Sequence, residues 1–312
     1  MQLKEQVMTN NQAPRLLSRQ NLLLRLLEAL GGRVGNLDFQ KYLFLYCQDW
    51  EKSQSYEFVP YKLGAFSFTS YADRRKMINA GCLEDNDQSW DLSPTGREMI
   101  MGSLVAKDQI NAFVLNYRVL HGDALVAETY RRYPYYAIRS EIAARVLDGN
   151  TEVIRLIEES RPNPRAFSLS TIGYEGLTLE SYLNRLLKNG VTLLCDVRRN
   201  ALSRKYGFSK GTLSKGCEGV GVRYEHLPEL GISSERRQDL KTHEDYEALF
   251  EDYKRNNLPR QRKALEKISA WIQQGNHVAL TCYERLPHLC HRSFVAQSLE
   301  KELNSEIKTT HL

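Results

Sequence analysis

The stretch VTLLCDVRR, residues 191–199, constrains the fold more than any other part of the chain. Its apolar run is continuous, without polar alternation, as expected of a strand covered on both faces. AFSLSTIGY reads as a strand before it. Between the two, TLESYLNRLLKNG places Leu179, Tyr182, Leu183, Leu186 and Leu187 on one helical face, with Thr178 as cap and Gly190 as stop. GVRYEHLPEL makes a third strand and QRKALEKISAWIQQG a helix. HVALTCYE makes a fourth strand, a helix follows from CHRS, and SEIKTTHL offers a fifth short strand. This alternation predicts a Rossmann-like α/β domain over residues 166–312, with a parallel sheet covered by helices.

The clearest break lies before it, at ESRPNPR, residues 159–165, where two prolines stop a helix and extend the chain. Residues 1–160 read as a mainly helical domain. NLLLRLLEALGG, LDFQKYLFLYCQDW and SFTSYADRRKMINAGCL are its first three helices, the first closed by glycine. CLEDNDQSWDLSPTG then suggests two short strands about a polar turn, with a helix starting at Ser93-Pro94. Helices followed by a two-stranded wing outline a winged helix-turn-helix, whose third helix would turn Arg74, Arg75 and Lys76 toward a DNA groove. The plainer reading makes those three residues a solvated helix face. Residues 103–158 read as further helices with RRYPYY as a turn, and no role is assigned to them.

A chain of 312 residues accommodates two such domains, and a net charge of +5 fits an acidic partner without requiring one. The six cysteines form no C-x-x-C pair and no disulfide framework. The opening MQLKEQVMTNNQAPR has no apolar leader core, and no run reaches the length of a membrane span. The expectation is a cytoplasmic protein that uses no membrane. Its oligomeric state is not legible.

In a parallel sheet every strand's carboxyl end lies on one edge, where ligands of open α/β sheets bind. Tyr174, Asp196, Arg198, Glu229, Cys282 and Glu284 all fall at such ends, with the basic loop NALSRKYGFSKG beside them. The segment CYERLPHLCHRS, residues 282–293, is the densest. Cys282, His288, Cys290 and His291 are zinc-type ligands, but they form no knuckle spacing, and adjacent Cys290 and His291 are expected to diverge at a helix start. No metal or other cofactor is therefore expected. Counting from Cys282, neither the phosphatase nor the rhodanese loop pattern fits. Cys290 could act as a thiolate beside Arg292, although a small buried cysteine is the commoner case. An anion-binding turn fits better, with free N–H groups over Cys290–Ser293 and a guanidinium fork from Arg292, joined by Arg198. The alternative is a salt-bridge network of Arg198, Arg292, Asp196 and Glu284 that only holds the edge together. GYEG is too short for a dinucleotide fingerprint, and His226 and His243 read as structural.

The phrases TIGYEG, CDVRRNALSRKYGFSK, VRYEHLPELGISSERR and ALTCYERLPHLCHRSFVA occur in one order over about residues 168–300. By them the span resembles domain-of-unknown-function family 488. The resemblance implies an α/β domain with Asp196, Arg198, Ser203, Arg204, Glu229, Cys282, Glu284, Cys290, His291 and Arg292 at its characteristic positions. Ala201 and Tyr206 stand where relatives often carry proline, which implies a less rigid basic loop. The relatives imply a setting of nucleic-acid modification and phage defence.

These readings converge on an enzyme acting on nucleic acid, DNA first, or on a nucleotide. Arg198, Arg204 and Arg292, with Ser203, would hold phosphate. Glu284 or Asp196 would serve as base or stabilise positive charge at a sugar, and Tyr174 would stack on a base. Glu229, Cys282, Cys290 and His291 would support them. Hydrolysis of an N-glycosidic bond to a modified base, as in a DNA glycosylase, suits a carboxylate so placed. The alternative is a DNA-bound sensor that recognises a nucleotide or modified base without turning it over.

Overall fold

A computed structural model describes residues 16–312, except 102–105, 164, 234, 238–239, 241 and 304–305. The stretch read as lacking a leader core lies outside the described residues. The chain forms two compact units. One comprises residues up to Ser55 together with Ser70–Leu120; the other comprises Tyr56–Thr69 and His121–Leu312.

In chain order, α1 (Ser18–Ala29), β1 (Arg33–Gly35) and α2 (Asn36–Asp49) come first. A hairpin of β2 (Val59–Tyr61) and β3 (Gly64–Phe66) follows. Next are α3 (Phe68–Asn79), β4 (Ser89–Asp91), α4 (Pro94–Met101) and α5 (Lys107–Tyr117). The helices α6 (Gly122–Arg132), α7 (Ala143–Val146) and α8 (Thr151–Glu159) lead to the sheet. Strands and helices then alternate through β5 (Ser168–Gly173), α9 (Leu179–Lys188), β6 (Leu193–Asp196), α10 (Lys210–Gly219) and β7 (Arg223–His226). The chain closes with α11 (His243–Asp252), α12 (Arg262–Gln273), β8 (His277–Cys282), α13 (Arg292–Glu302) and β9 (Thr310–His311).

In the first unit β4 pairs antiparallel with β1, Trp90 opposite Val34, while Leu83 bridges to Leu92. The two strands expected within CLEDNDQSWDLSPTG therefore appear as that bridge plus β4, whose ladder partner is a strand the residue pattern did not announce. Ser93 caps α4 by accepting from the Gly96 N–H at 3.0 Å. Arg74 is buried: its guanidinium donates to the Ser89 carbonyl at 3.0 Å and lies 5.4 Å from the Trp90 ring centroid. Arg75 and Lys76 stay exposed, Arg75 paired with Asp85 at 3.3 Å. Of the three basic residues, two remain on the surface.

The second unit holds a five-stranded sheet in the order β7-β6-β8-β5-β9, every pairing parallel. This is the predicted α/β architecture, including the short fifth strand. Leu193 and Cys195 point into a core shared with Ile268, Trp271 and Val295 of α12 and α13. Leu194 points to the opposite core with Tyr182, Leu183 and Leu186 of α9 and Leu213 of α10. The two-residue period of the strand thus feeds two apolar layers, which is why VTLLCDVRR shows no polar alternation. Thr178 caps α9 by accepting from the Ser181 N–H at 3.0 Å. Polar Asn184 on that helix donates to the Phe58 carbonyl at 2.7 Å and accepts from the Tyr135 hydroxyl at 2.9 Å. Such contacts gather the hairpin and α6–α8 with the sheet, so the compact units divide the chain elsewhere than at ESRPNPR, which remains the stop after α8.

Lys41 is buried in the first unit, and burial pulls its pKa down to about 7. An unfolded lysine holds its proton to about 10.4. Between those values the unfolded chain carries the extra proton, so stability rises with pH. Calorimetry should show the first transition moving to higher temperature from about pH 7 to about pH 9, and Lys41→Met should flatten that rise.

Candidate functional site

The carboxyl edge of the sheet is organised around Asp196, the last residue of β6, which is fully buried. Its Oδ1 accepts from the Arg198 N–H at 3.1 Å and from Arg198 Nε at 2.8 Å. Its Oδ2 accepts from Arg198 Nη2 at 2.5 Å and from the Tyr224 hydroxyl at 2.7 Å. The remaining Arg198 nitrogen, Nη1, donates to the Tyr174 hydroxyl at 2.9 Å and the Phe208 carbonyl at 2.8 Å. Burial works against the guanidinium charge, but the Asp196 carboxylate outweighs it and raises the Arg198 pKa. Burial, then the same carboxylate, pushes the Tyr224 hydroxyl up. The polar atoms of Asp196 and Arg198 are thus spent inside the protein, on a scaffold joining β5, β6, β7 and the loop before α10. Base and phosphate-binding roles do not fit groups held this way.

Tyr174 belongs to the same scaffold. Its ring stacks on Phe208 at 4.4 Å, lies 5.0 Å from the Arg198 guanidinium and meets Tyr283 edge-on at 5.3 Å. Only 4% of Tyr174 is exposed, too little to stack on a base, whereas 45% of Tyr283 is exposed. Tyr283, like Tyr224 and Phe208, went unmarked in the residue pattern. An aromatic residue beside Glu284 was the available signal for it.

Arg292 is buried at the start of α13, and its guanidinium donates to the Glu284 carbonyl at 2.5 Å and the Arg285 carbonyl at 3.1 Å. It therefore ties down the turn after β8 in place of the expected phosphate contact. That turn passes so close to β5 that a Cβ on Gly173 would sit 1.9 Å from the Glu284 carbonyl oxygen, so only glycine fits there. The salt-bridge network weighed from sequence exists as the Asp196–Arg198 pair, while Arg292 binds the backbone of Glu284.

Within the turn, Cys282 donates to Glu284 Oε2 at 3.2 Å. His291 Nδ1 lies 3.8 Å from Cys282 Sγ and 3.9 Å from Cys290 Sγ, and its Nε2 meets the Val197 carbonyl at 3.0 Å. The expected divergence of Cys290 and His291 does not occur. Cys290 is extended (φ −140°, ψ 137°) and His291 helical (φ −59°, ψ −22°), and this switch turns both side chains to one side. All three residues are buried, and burial, then the neighbouring Cys282, drives the Cys290 thiol pKa up. A resting thiolate nucleophile at Cys290 is disfavoured accordingly. His288 is exposed and lies outside this group.

The basic loop is folded on itself. Ser203 accepts from the Lys205 N–H at 3.1 Å, and its own N–H donates to Ser209 Oγ at 3.0 Å. Lys205 Nζ donates to the Tyr174 carbonyl at 3.1 Å, and the Tyr206 hydroxyl reaches the Phe68 carbonyl at 3.1 Å. Arg199, Arg204 and Arg285 are exposed, and Glu229 and Glu284 are half-buried. His226 bonds the Arg198 carbonyl at 2.9 Å, a structural contact.

A parallel α/β unit whose polar side chains collect at the strand carboxyl ends is the class that this fold defines. Within it, residues 178–299 match the family model described as domain of unknown function DUF488. No curated protein and no solved structure matches the chain. Among the described residues no helix is long and apolar enough to cross a membrane.

Removing one partner of a buried ion pair typically costs about 3–5 kcal/mol. Asp196→Asn should therefore lower the denaturation midpoint steeply. Tyr224→Phe, which deletes one of the four hydrogen bonds to that carboxylate, should cost only about 1–3 kcal/mol. Glu284→Gln, at a half-buried side chain, should lower the midpoint less than Asp196→Asn does. Urea titrations of the three variants against the parent check this order.

Proposed function

We propose that the second unit hydrolyses an N-glycosidic bond in nucleic acid, DNA in the first instance, or in a nucleotide, with Glu284 as the working carboxylate. The observation that carries this reading is the contrast between two carboxylates at one sheet edge. Asp196 is fully buried and bound by Arg198 and Tyr224, whereas Glu284, which accepts from Cys282, is half-buried at the end of β8 beside the exposed ring of Tyr283. A carboxylate so placed stabilises the positive charge that develops on a sugar as the bond to its base breaks, or takes a proton from the attacking water. Tyr283 offers a face for base stacking, and the exposed Arg199, Arg204 and Arg285 offer charge for phosphates. A target base within a duplex would first be extruded from the stack.

The first unit would contribute DNA contact as a winged helix. The order α1-β1-α2-α3-β4, with β1 paired to β4 and the Leu83–Leu92 bridge, supports that reading. Exposed Arg75 and Lys76 on α3 are the residues to meet phosphate. A setting in modification or phage defence accords with this pair of activities. The sensor reading draws on a different observation: Asp196, Arg198 and Arg292 are all committed to internal contacts, which suits a preformed recognition surface.

Labelled DNA carrying ordinary or modified bases should acquire alkali-labile sites on incubation with the protein. Glu284→Gln should reduce their formation by at least about 100-fold, the range general acid–base groups contribute. Intact DNA across the panel, with a retained shift on a native gel, would move the assignment to the sensor.

A further inference from the structure

The buried trio at the end of β8 and the start of α13 has the geometry of a metal-binding centre. We propose that Cys282, Cys290 and His291 bind one zinc ion, with the fourth coordination position toward Glu284. The ligand atoms Sγ, Sγ and an imidazole nitrogen all lie within 4.8 Å of one another. Zn–S bonds of about 2.3 Å and a Zn–N bond of about 2.0–2.1 Å at the tetrahedral angle put sulfur and nitrogen roughly 3.6 Å apart. The two Sγ to Nδ1 distances, 3.8 and 3.9 Å, need only a small inward shift to match.

The imidazole is already set for coordination. A carbonyl only accepts hydrogen bonds, so the 3.0 Å contact with Val197 assigns the proton to His291 Nε2 and leaves the Nδ1 lone pair facing both sulfurs. Metal-binding histidines are held in this way by a backbone carbonyl on their second nitrogen. The ring also meets Tyr253 edge-on at 5.8 Å, which limits its rotation. The charges balance too: a dication, two thiolates, the Glu284 carboxylate and the Arg292 guanidinium sum to zero, as a buried site requires.

Thiolate pairs with one imidazole select zinc over hard cations such as magnesium. Binding replaces two S–H bonds with two metal–sulfur bonds and releases two protons to the buffer. Three protein ligands leave one position, and Glu284 Oε2, 3.2 Å from Cys282 Sγ, is the carboxylate oxygen next to it. An open site of this kind holds a water in catalytic zinc centres. The metal would also staple β8 to α13, the two elements that carry the turn.

The 312-residue chain, purified under reducing conditions without chelators, should contain about one zinc per chain by elemental analysis. After chelation and titration with cobalt(II), it should show thiolate-to-cobalt charge transfer and intense tetrahedral d–d bands saturating at one equivalent. Cys290→Ser and His291→Ala should weaken binding by more than the roughly 10- to 100-fold that loss of an outer partner costs. Cys217→Ala, in α10, should bind as the parent does. If either ligand variant fails to fold, the parent's cobalt spectrum decides by itself. Absence of thiolate charge transfer, a Cys282–Cys290 disulfide found in its place, or zinc retained by both ligand variants would overturn the proposal. None of these readouts depends on base excision, so the metal centre and the hydrolase reading stand or fall separately.

Discussion

The hydrogen-bonded ion pair of Asp196 with Arg198 is the interaction on which the carboxyl edge depends. A charge removed from water is tolerated only when its hydrogen-bonding capacity is filled. Here the carboxylate takes donors from Arg198 and Tyr224, and the guanidinium continues to Tyr174 and the Phe208 carbonyl. Through these contacts the ends of β5, β6 and β7 and the loop before α10 are positioned by one buried charge pair. Because the partners lie only two positions apart in the chain, the pair also shapes the backbone, with the Arg198 N–H itself bound to Oδ1.

A second set of constraints works beside it. Gly173 gives the room in which the backbone at Glu284 passes β5, and Arg292 holds that backbone by its carbonyls. Gly231 does the same for the far side: a Cβ there would lie 2.0 Å from the Arg199 nitrogen. The turn after β8 is thus fixed by main-chain contacts, with Tyr283 exposed and Glu284 half-buried at the edge. Cys282, Cys290 and His291 sit beneath them in the interior.

Much of the second unit was legible because its signals are local. A continuous apolar strand, a helix with Thr178 as cap and a glycine stop, and five apolar positions on one face each follow from short-range periodicity. The parallel arrangement followed from alternation, and with it the gathering of polar residues at one edge. Their individual roles did not follow. Arg198, Arg292, Asp196 and Tyr174 are residues whose chemistry suits a ligand as well as an internal partner, and burial decides between the two. Arg74 is the same case in the first unit, turned inward to the Ser89 carbonyl while its neighbours Arg75 and Lys76 face solvent.

The sequence by itself determined the strand–helix alternation of the C-terminal part, the helix caps and the presence of ligand-type residues at strand ends, because these depend on neighbours within one or two turns of chain. Tertiary structure alone decided which polar groups satisfy one another. It sent the Asp196 carboxylate to Tyr224, 28 residues away, and His291 Nε2 to the Val197 carbonyl, 94 residues away. It also brought adjacent Cys290 and His291 to one side through a single change of backbone conformation. The physical reason is that a buried donor or acceptor must find a partner wherever the fold supplies one, and the distance along the chain carries no record of where that is.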